Sequence, residues 1–140
     1  MAIVVATDCS ISVNGVDLSD HGSQVTLDDL REKKDITSFG ATSRVYTKGL
    51  GDANVSITFF QDFAAGEVHA TLQPLIGSST PVVLIAKPTS AALSATNPGF
   101  TMSGLLFNYA MLDAQVGEPS TLQVEFSNAS QAGVVYDITP

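Results

Sequence analysis

Serine, cysteine and histidine are the side chains that could carry covalent or metal chemistry, and here the last two are scarce: one cysteine, Cys9, and two histidines, His21 and His69. Nucleophilic catalysis needs a Ser or Cys activated by a His that a carboxylate orients. His21 follows Asp20 in a polar turn, and His69 falls on a predicted helix between core positions 68 and 72. Both are expected to be solvated or hydrogen-bonded structural residues. No Gly-x-Ser-x-Gly elbow occurs. Gly49-Leu50-Gly51 opens no helix, so it is no phosphate loop and reads as a turn. Asp28 and Asp29 are adjacent, and on extended chain they point to opposite faces, too far apart in direction to share a proton. A lone cysteine makes no internal disulfide and no multi-cysteine zinc site; Cys9 is expected to be a small buried hydrophobe. Two isolated histidines suggest no ligand cluster. The expectation is no enzyme, no cofactor and no metal.

Charge is more informative than chemistry. The chain has 140 residues, with fourteen acids against six bases, a net charge of −8. A protein that binds nucleic acid through its phosphates needs the opposite balance. Residues 31–48 hold five of the six bases (Arg31, Lys33, Lys34, Arg44, Lys48) and two acids (Glu32, Asp35), a local net of +3. The remainder holds twelve acids and Lys87, a net of −11. Only 14% of residues are charged while 44% are apolar. A surface so poor in charge is cheap to desolvate and suits burial against other subunits. No apolar run is long enough for a membrane span, residues 81–86 being among the longest. Residues 1–6 lack the features of a secretory signal, which implies synthesis and folding in a cytoplasm.

The elements that must carry these residues are mostly short strands. Residues 3–6 form a brief apolar run. Residues 10–13 alternate into Asn14-Gly15, a two-residue hairpin signal, and Val16 and Leu18 resume the alternation. Residues 24–27 read as a strand; residues 28–34 lack an apolar stripe and read as extended or irregular. In residues 54–60, Val55, Ile57 and Phe59 share one face. Residues 81–87 are a continuous apolar run that suits a strand buried on both faces. Residues 100–109, 120–127 and 134–138 complete the set, with Leu122, Val124 and Phe126 pointing inward. Residues 62–77 change period: Val68, Leu72, Leu75 and Ile76 lie at helical spacing, with Asp62 as the candidate cap. Pro74 predicts that this helix ends near residues 71–73. The expected fold is one domain over 1–140, all-β with one helix, a β-sandwich or partly open barrel with residues 31–50 as an extended loop or arm.

Residues 35–50, Asp-Ile-Thr-Ser-Phe-Gly-Ala-Thr-Ser-Arg-Val-Tyr-Thr-Lys-Gly-Leu, resemble a stretch of the tail tube (major tail) proteins of long non-contractile-tailed bacteriophages. In that family an Asp-Val-Thr-like triplet precedes Ser-Phe-Gly-Asp, a Thr/Ser-Arg pair, an aromatic, and a Gly before a Val-Ser-Ile-like strand. Here residues 54–58 supply that strand. The later order of helix, apolar strand after Gly-Ser-Ser-Thr-Pro, and residues 100–109 is also similar, as is the opening Val13-Asn-Gly-Val-Asp-Leu-Ser-Asp, familiar from actinobacterial phage tails. The likeness spans about residues 11–135. One departure is Ala41 where the family often has Asp, so Arg44 needs another partner.

The resemblance implies a virion protein, assembled in the host cytoplasm. Its copies form rings, usually hexameric, stacked head to tail around a lumen through which DNA passes without specific binding. Tape measure and terminator proteins are the implied tail partners, and no membrane is involved. The arm reaches a neighbouring subunit, with Arg31, Lys33, Lys34, Asp35, Phe39, Gly40, Arg44, Tyr46 and Lys48 as its contact residues. It is expected to order only on docking, with bends at Gly40 and Gly49. Glu125, on the polar side of its strand, is the lumen candidate. A capsid decoration or head–tail connector protein is the alternative of the same kind. A carbohydrate-binding sandwich is disfavoured by zero Trp and three Tyr.

Overall fold

The computed structural model describes residues 3, 5 and 7–139, so two positions of the 3–6 run lie outside the described residues. Asn14 and Gly15, both at positive φ (52° and 82°), turn β1 (Ser10–Val13) into β2 (Val16–Asp17), the backbone that an Asn-Gly hairpin requires. A 3-10 turn, Ser19–His21, leads into β3 (Gly22–Asp35), which pairs with β4 (Tyr46–Phe60). After the helix α1 (Val68–Ile76) come β5 (Val82–Lys87), β6 (Gly99–Tyr109), β7 (Thr121–Asn128) and β8 (Val135–Asp137). All pairings are antiparallel, in the order β2-β1-β5-β6-β7-β4-β3, with β8 beside β6.

This all-β sheet with one helix is open: no ladder joins β3 to β1 among the described residues. It curls nevertheless. Ile11 of β1, Val25 and Leu27 of β3, and Leu84 of β5 line one small interior space. The core is the concave face. Val55, Ile57 and Phe59 of β4 meet Leu122, Val124 and Phe126 of β7 there, with Val13, Leu84 and Met102. Period-two alternation puts these residues on one side, and their removal from water is the main force holding the sheet curled.

Four expectations need correction. Gly49-Leu50-Gly51 is no turn; it lies within β4, because the ladder to β3 continues to Asp35↔Tyr46. For the same reason residues 31–35 and 46–50 are paired strands. Strand β5 is buried on one face only, Val82 and Leu84 facing the core while Val83 and Ile85 are exposed. The helix runs through Pro74 to Ile76, and Asp62 does not cap it: Glu67 precedes the first turn, without a side-chain cap. Packing of Val68, Leu72 and Leu75 against the core outweighs the proline, since tertiary contacts supply most of a short helix's stability.

Candidate assembly surface

Strand β7 pairs with β4 only over Asn54–Phe60, yet β3 and β4 stay paired far beyond that point. The result is a two-stranded hairpin that leaves the sheet and closes through residues 36–45. Its root is acidic, carrying Asp28, Asp29 and Asp52. Its shaft carries the bases. A bulge in β4 sets two residues, Gly49 and Leu50, against Glu32 alone between the pairs Arg31↔Gly51 and Lys33↔Lys48. Glu32 and Arg31 lie across Gly49 and Gly51: a Cβ on Gly51 would sit 2.6 Å from the Arg31 guanidinium, and one on Gly49 3.0 Å from the Glu32 carboxylate. Gly49 therefore makes room for a side chain and forms no bend. Gly40, at φ +87°, does bend the tip.

The structure brings the predicted arm residues together on this hairpin. Arg31 pairs with Asp29, and Lys34 with Glu32. Arg44 Nη1 donates to Asp35 Oδ2 at 3.0 Å, which gives Arg44 the carboxylate that Ala41 lacks. Asp35 also accepts from the Thr37 backbone N–H at 2.9 Å. The Thr37 contacts, with a smaller contribution from Arg44, hold its carboxyl below the ordinary carboxylate value. Lys33 and Lys48 stand directly opposite each other, and Lys33 Nζ lies 4.0 Å from the centre of the Tyr46 ring. Like charges across a ladder disfavour pairing, and the cation–π contact offsets part of that. Among the described residues neither lysine has an ion-pair partner.

Large apolar side chains lie open along the same hairpin: Leu30, Ile36, Val45, Tyr46 and Leu50 are about half exposed or more, and Phe39 is fully exposed. The convex face of the sheet divides in two. Over β4 and β7 it is polar, with Ser56, Thr58, Gln123 and the exposed Glu125; Gln123 donates to Ser56 Oγ at 2.8 Å. Over β5 and β6 it carries Val83, Ile85 and, at a bulge, Phe107. The loop between β6 and β7 adds Met111, Leu112 and Val116. Scattered apolar residues are normal on a surface, but here they concentrate on one hairpin and one sheet face.

His69, Cys9 and His21 are each engaged in hydrogen bonds. His69 Nδ1 lies 2.7 Å from the Tyr109 hydroxyl, which also accepts from Gln61 at 3.2 Å. Cys9 is partly buried against the core, and its thiol donates to the Lys87 carbonyl at 3.0 Å; burial raises its pKa. His21 lies between Asp20 and Asp62, at 2.8 and 2.9 Å, with Glu67 3.5 Å away. The Asp20 carboxylate raises its pKa most, burial opposes, and Asp62 and Glu67 add to the rise. Sequence reasoning missed this cluster, because residues 20–21 and 62–67 come together only through the fold.

A chain of the native gene transfer agent virion superposes on this fold with a TM-score of 0.74, covering 95% of this chain and 98% of its own, at 9% identity. A chain from the tail of the empty particle, in C6 helical symmetry, does so with a TM-score of 0.68 over 94% of both chains at 10% identity. The fold is shared with tailed particles. A chain of the six-fold symmetrised anti-feeding prophage baseplate matches with a TM-score of 0.60, over 98% of this chain and 97% of its own, at 14% identity. No family model and no curated protein matches the sequence.

Proposed function

We propose that this chain is a structural tail protein of a phage-like particle. Its copies close into six-membered rings that stack head to tail as a tube, and DNA passes through the tube without specific binding. The observation that carries this reading is the end-to-end fold match to a chain of a C6-symmetric tail. Three features of the subunit support it. The open sheet leaves β2 and β3 as edges for neighbouring copies to cover. The hairpin projects apolar side chains and unpaired lysines away from the core. The polar convex face, with Glu125, suits a wall that repels phosphates. Such a protein needs no catalytic turnover, and its partners are its own copies and other tail proteins such as the tape measure and terminator.

A single terminal ring is the second reading, favoured by the baseplate likeness. Negative-stain microscopy of the purified protein across a concentration series separates the two. Tubes with a regular axial repeat support the first reading and discrete rings the second. A monomer at every concentration, or protein found only as knobs on capsids, overturns both.

A further inference from the structure

Three carboxylates converge on the imidazole of His21, whose side chain is only 17% exposed. Ionised carboxylates can only accept, so each ring nitrogen must meet them through a proton or a cation. On one side, Nε2 faces Asp62 Oδ2 at 2.9 Å, and Asp62 is itself fixed by the Ala64 N–H on its other oxygen, also at 2.9 Å. That is the outer carboxylate that commonly sets the tautomer of a metal-binding histidine, leaving the other nitrogen to ligate. On the other side, Nδ1 lies 2.8 Å from Asp20 Oδ1 and 3.5 Å from Glu67 Oε2, and the three donor atoms fall within 4.8 Å of one another. An ion about 2.0–2.1 Å from each N or O ligand places tetrahedral neighbours about 3.3 Å apart. The two observed spacings straddle that value.

We propose that Asp20, His21 Nδ1 and Glu67 form a divalent transition-metal site, with Asp62 as the outer partner of the histidine. Asp20 is exposed, so the remaining coordination positions open to water. One imidazole with two carboxylates suits Zn²⁺, Co²⁺ or Ni²⁺ in preference to Ca²⁺ or Mg²⁺, which favour all-oxygen sets. The ion would pin the 3-10 turn before β3 to the segment leading into α1, two parts of the chain that share no strand ladder. It would also offset part of the net charge of −8. This inference is independent of the tail assignment.

The test uses the full chain, treated with EDTA and then titrated with Co²⁺ under calorimetry and visible absorption. The expected result is one ion per chain, d–d bands characteristic of nitrogen ligation, and a higher Tm than with EDTA. His21→Gln and Glu67→Gln should remove all three. Asp62→Asn should weaken binding about 10- to 100-fold. His69→Gln should bind normally, since His69 is engaged with Tyr109. Glu67→Gln, at a partly exposed position just before α1, keeps the test open if His21→Gln folds poorly. Failure of the wild-type chain to bind Co²⁺ or Zn²⁺ at millimolar concentration overturns the proposal. So does unchanged binding in His21→Gln, or equal stabilisation by Ca²⁺.

Discussion

Removing the Phe39 ring tests the hairpin as a docking arm. In the subunit Phe39 is fully exposed at the tip, so Phe39→Ala removes no intramolecular packing and should leave the Tm of unassembled protein unchanged. If the ring enters a neighbour's pocket, its truncation should cost about 2–4 kcal/mol of docking energy, as for a buried aromatic anchor. Because 1.4 kcal/mol is tenfold, the critical concentration for assembly should rise ~30- to ~700-fold. Lys33→Ala supplies the contrast. It removes the cation–π contact to Tyr46 but also relieves the opposition to Lys48, and exposed charges contribute only about 0–1 kcal/mol each. Its critical concentration should therefore stay within about fivefold of wild type. Pelleting assays over a dilution series measure both variants, and thermal melts below the assembly threshold supply the folding control. Normal assembly of Phe39→Ala and Tyr46→Ala, with loss of assembly in Lys33→Ala, would refute the reasoning and make charge the sole determinant.

Four further outcomes follow from the subunit alone. Phe126→Ala, at the fully buried centre of the core, should destabilise the fold by about 3–5 kcal/mol, read as a lower denaturant midpoint. Gly104→Ala places a methyl 2.9 Å from the Ser127 carbonyl and 3.0 Å from Met102, so it should cost about 1–3 kcal/mol; at Gly40 the space is open and only the positive φ resists, at about 1–2 kcal/mol. The Asp35 carboxyl should titrate by NMR below the ordinary carboxylate range. Because its folded pKa is depressed, its contribution to order in the tip is complete above the ordinary value. That contribution is lost as pH falls through the depressed one, with the Thr37 amide reporting the change.

The core strands were legible because burial on one face imposes a period of two. Val55, Ile57 and Phe59, and Leu122, Val124 and Phe126, face inward as the alternation predicts. Asn14-Gly15 was legible because few other residue pairs accept two positive φ values. The full length of β4 was not. Gly49 and Gly51 look like turn residues, and only the side chains of Glu32 and Arg31 lying across them explain their place in a strand. An apolar run such as residues 82–85 likewise does not reveal how many of its faces the subunit itself covers; Val83 and Ile85 are left outside. The bases of residues 31–48 lie on one hairpin. Their mutual geometry, from the bulge opposite Glu32 to the facing lysines, depends on register that composition does not encode.

The strand order also sets a timetable for synthesis. The β3–β4 ladder is built from neighbours in sequence and can close as soon as residue 60 has been made, whereas β4 gains its other partner only with residues 121–127, and β1 must wait for residues 84–87. Local pairings carry a small loop-closure cost and form early, and distant ones form late. The hairpin can therefore begin to pair before the body of the sheet exists, and gains its full stability only when β7 joins β4. If copies dock through the hairpin tip, folding of the hairpin and contact with a neighbour can overlap in time.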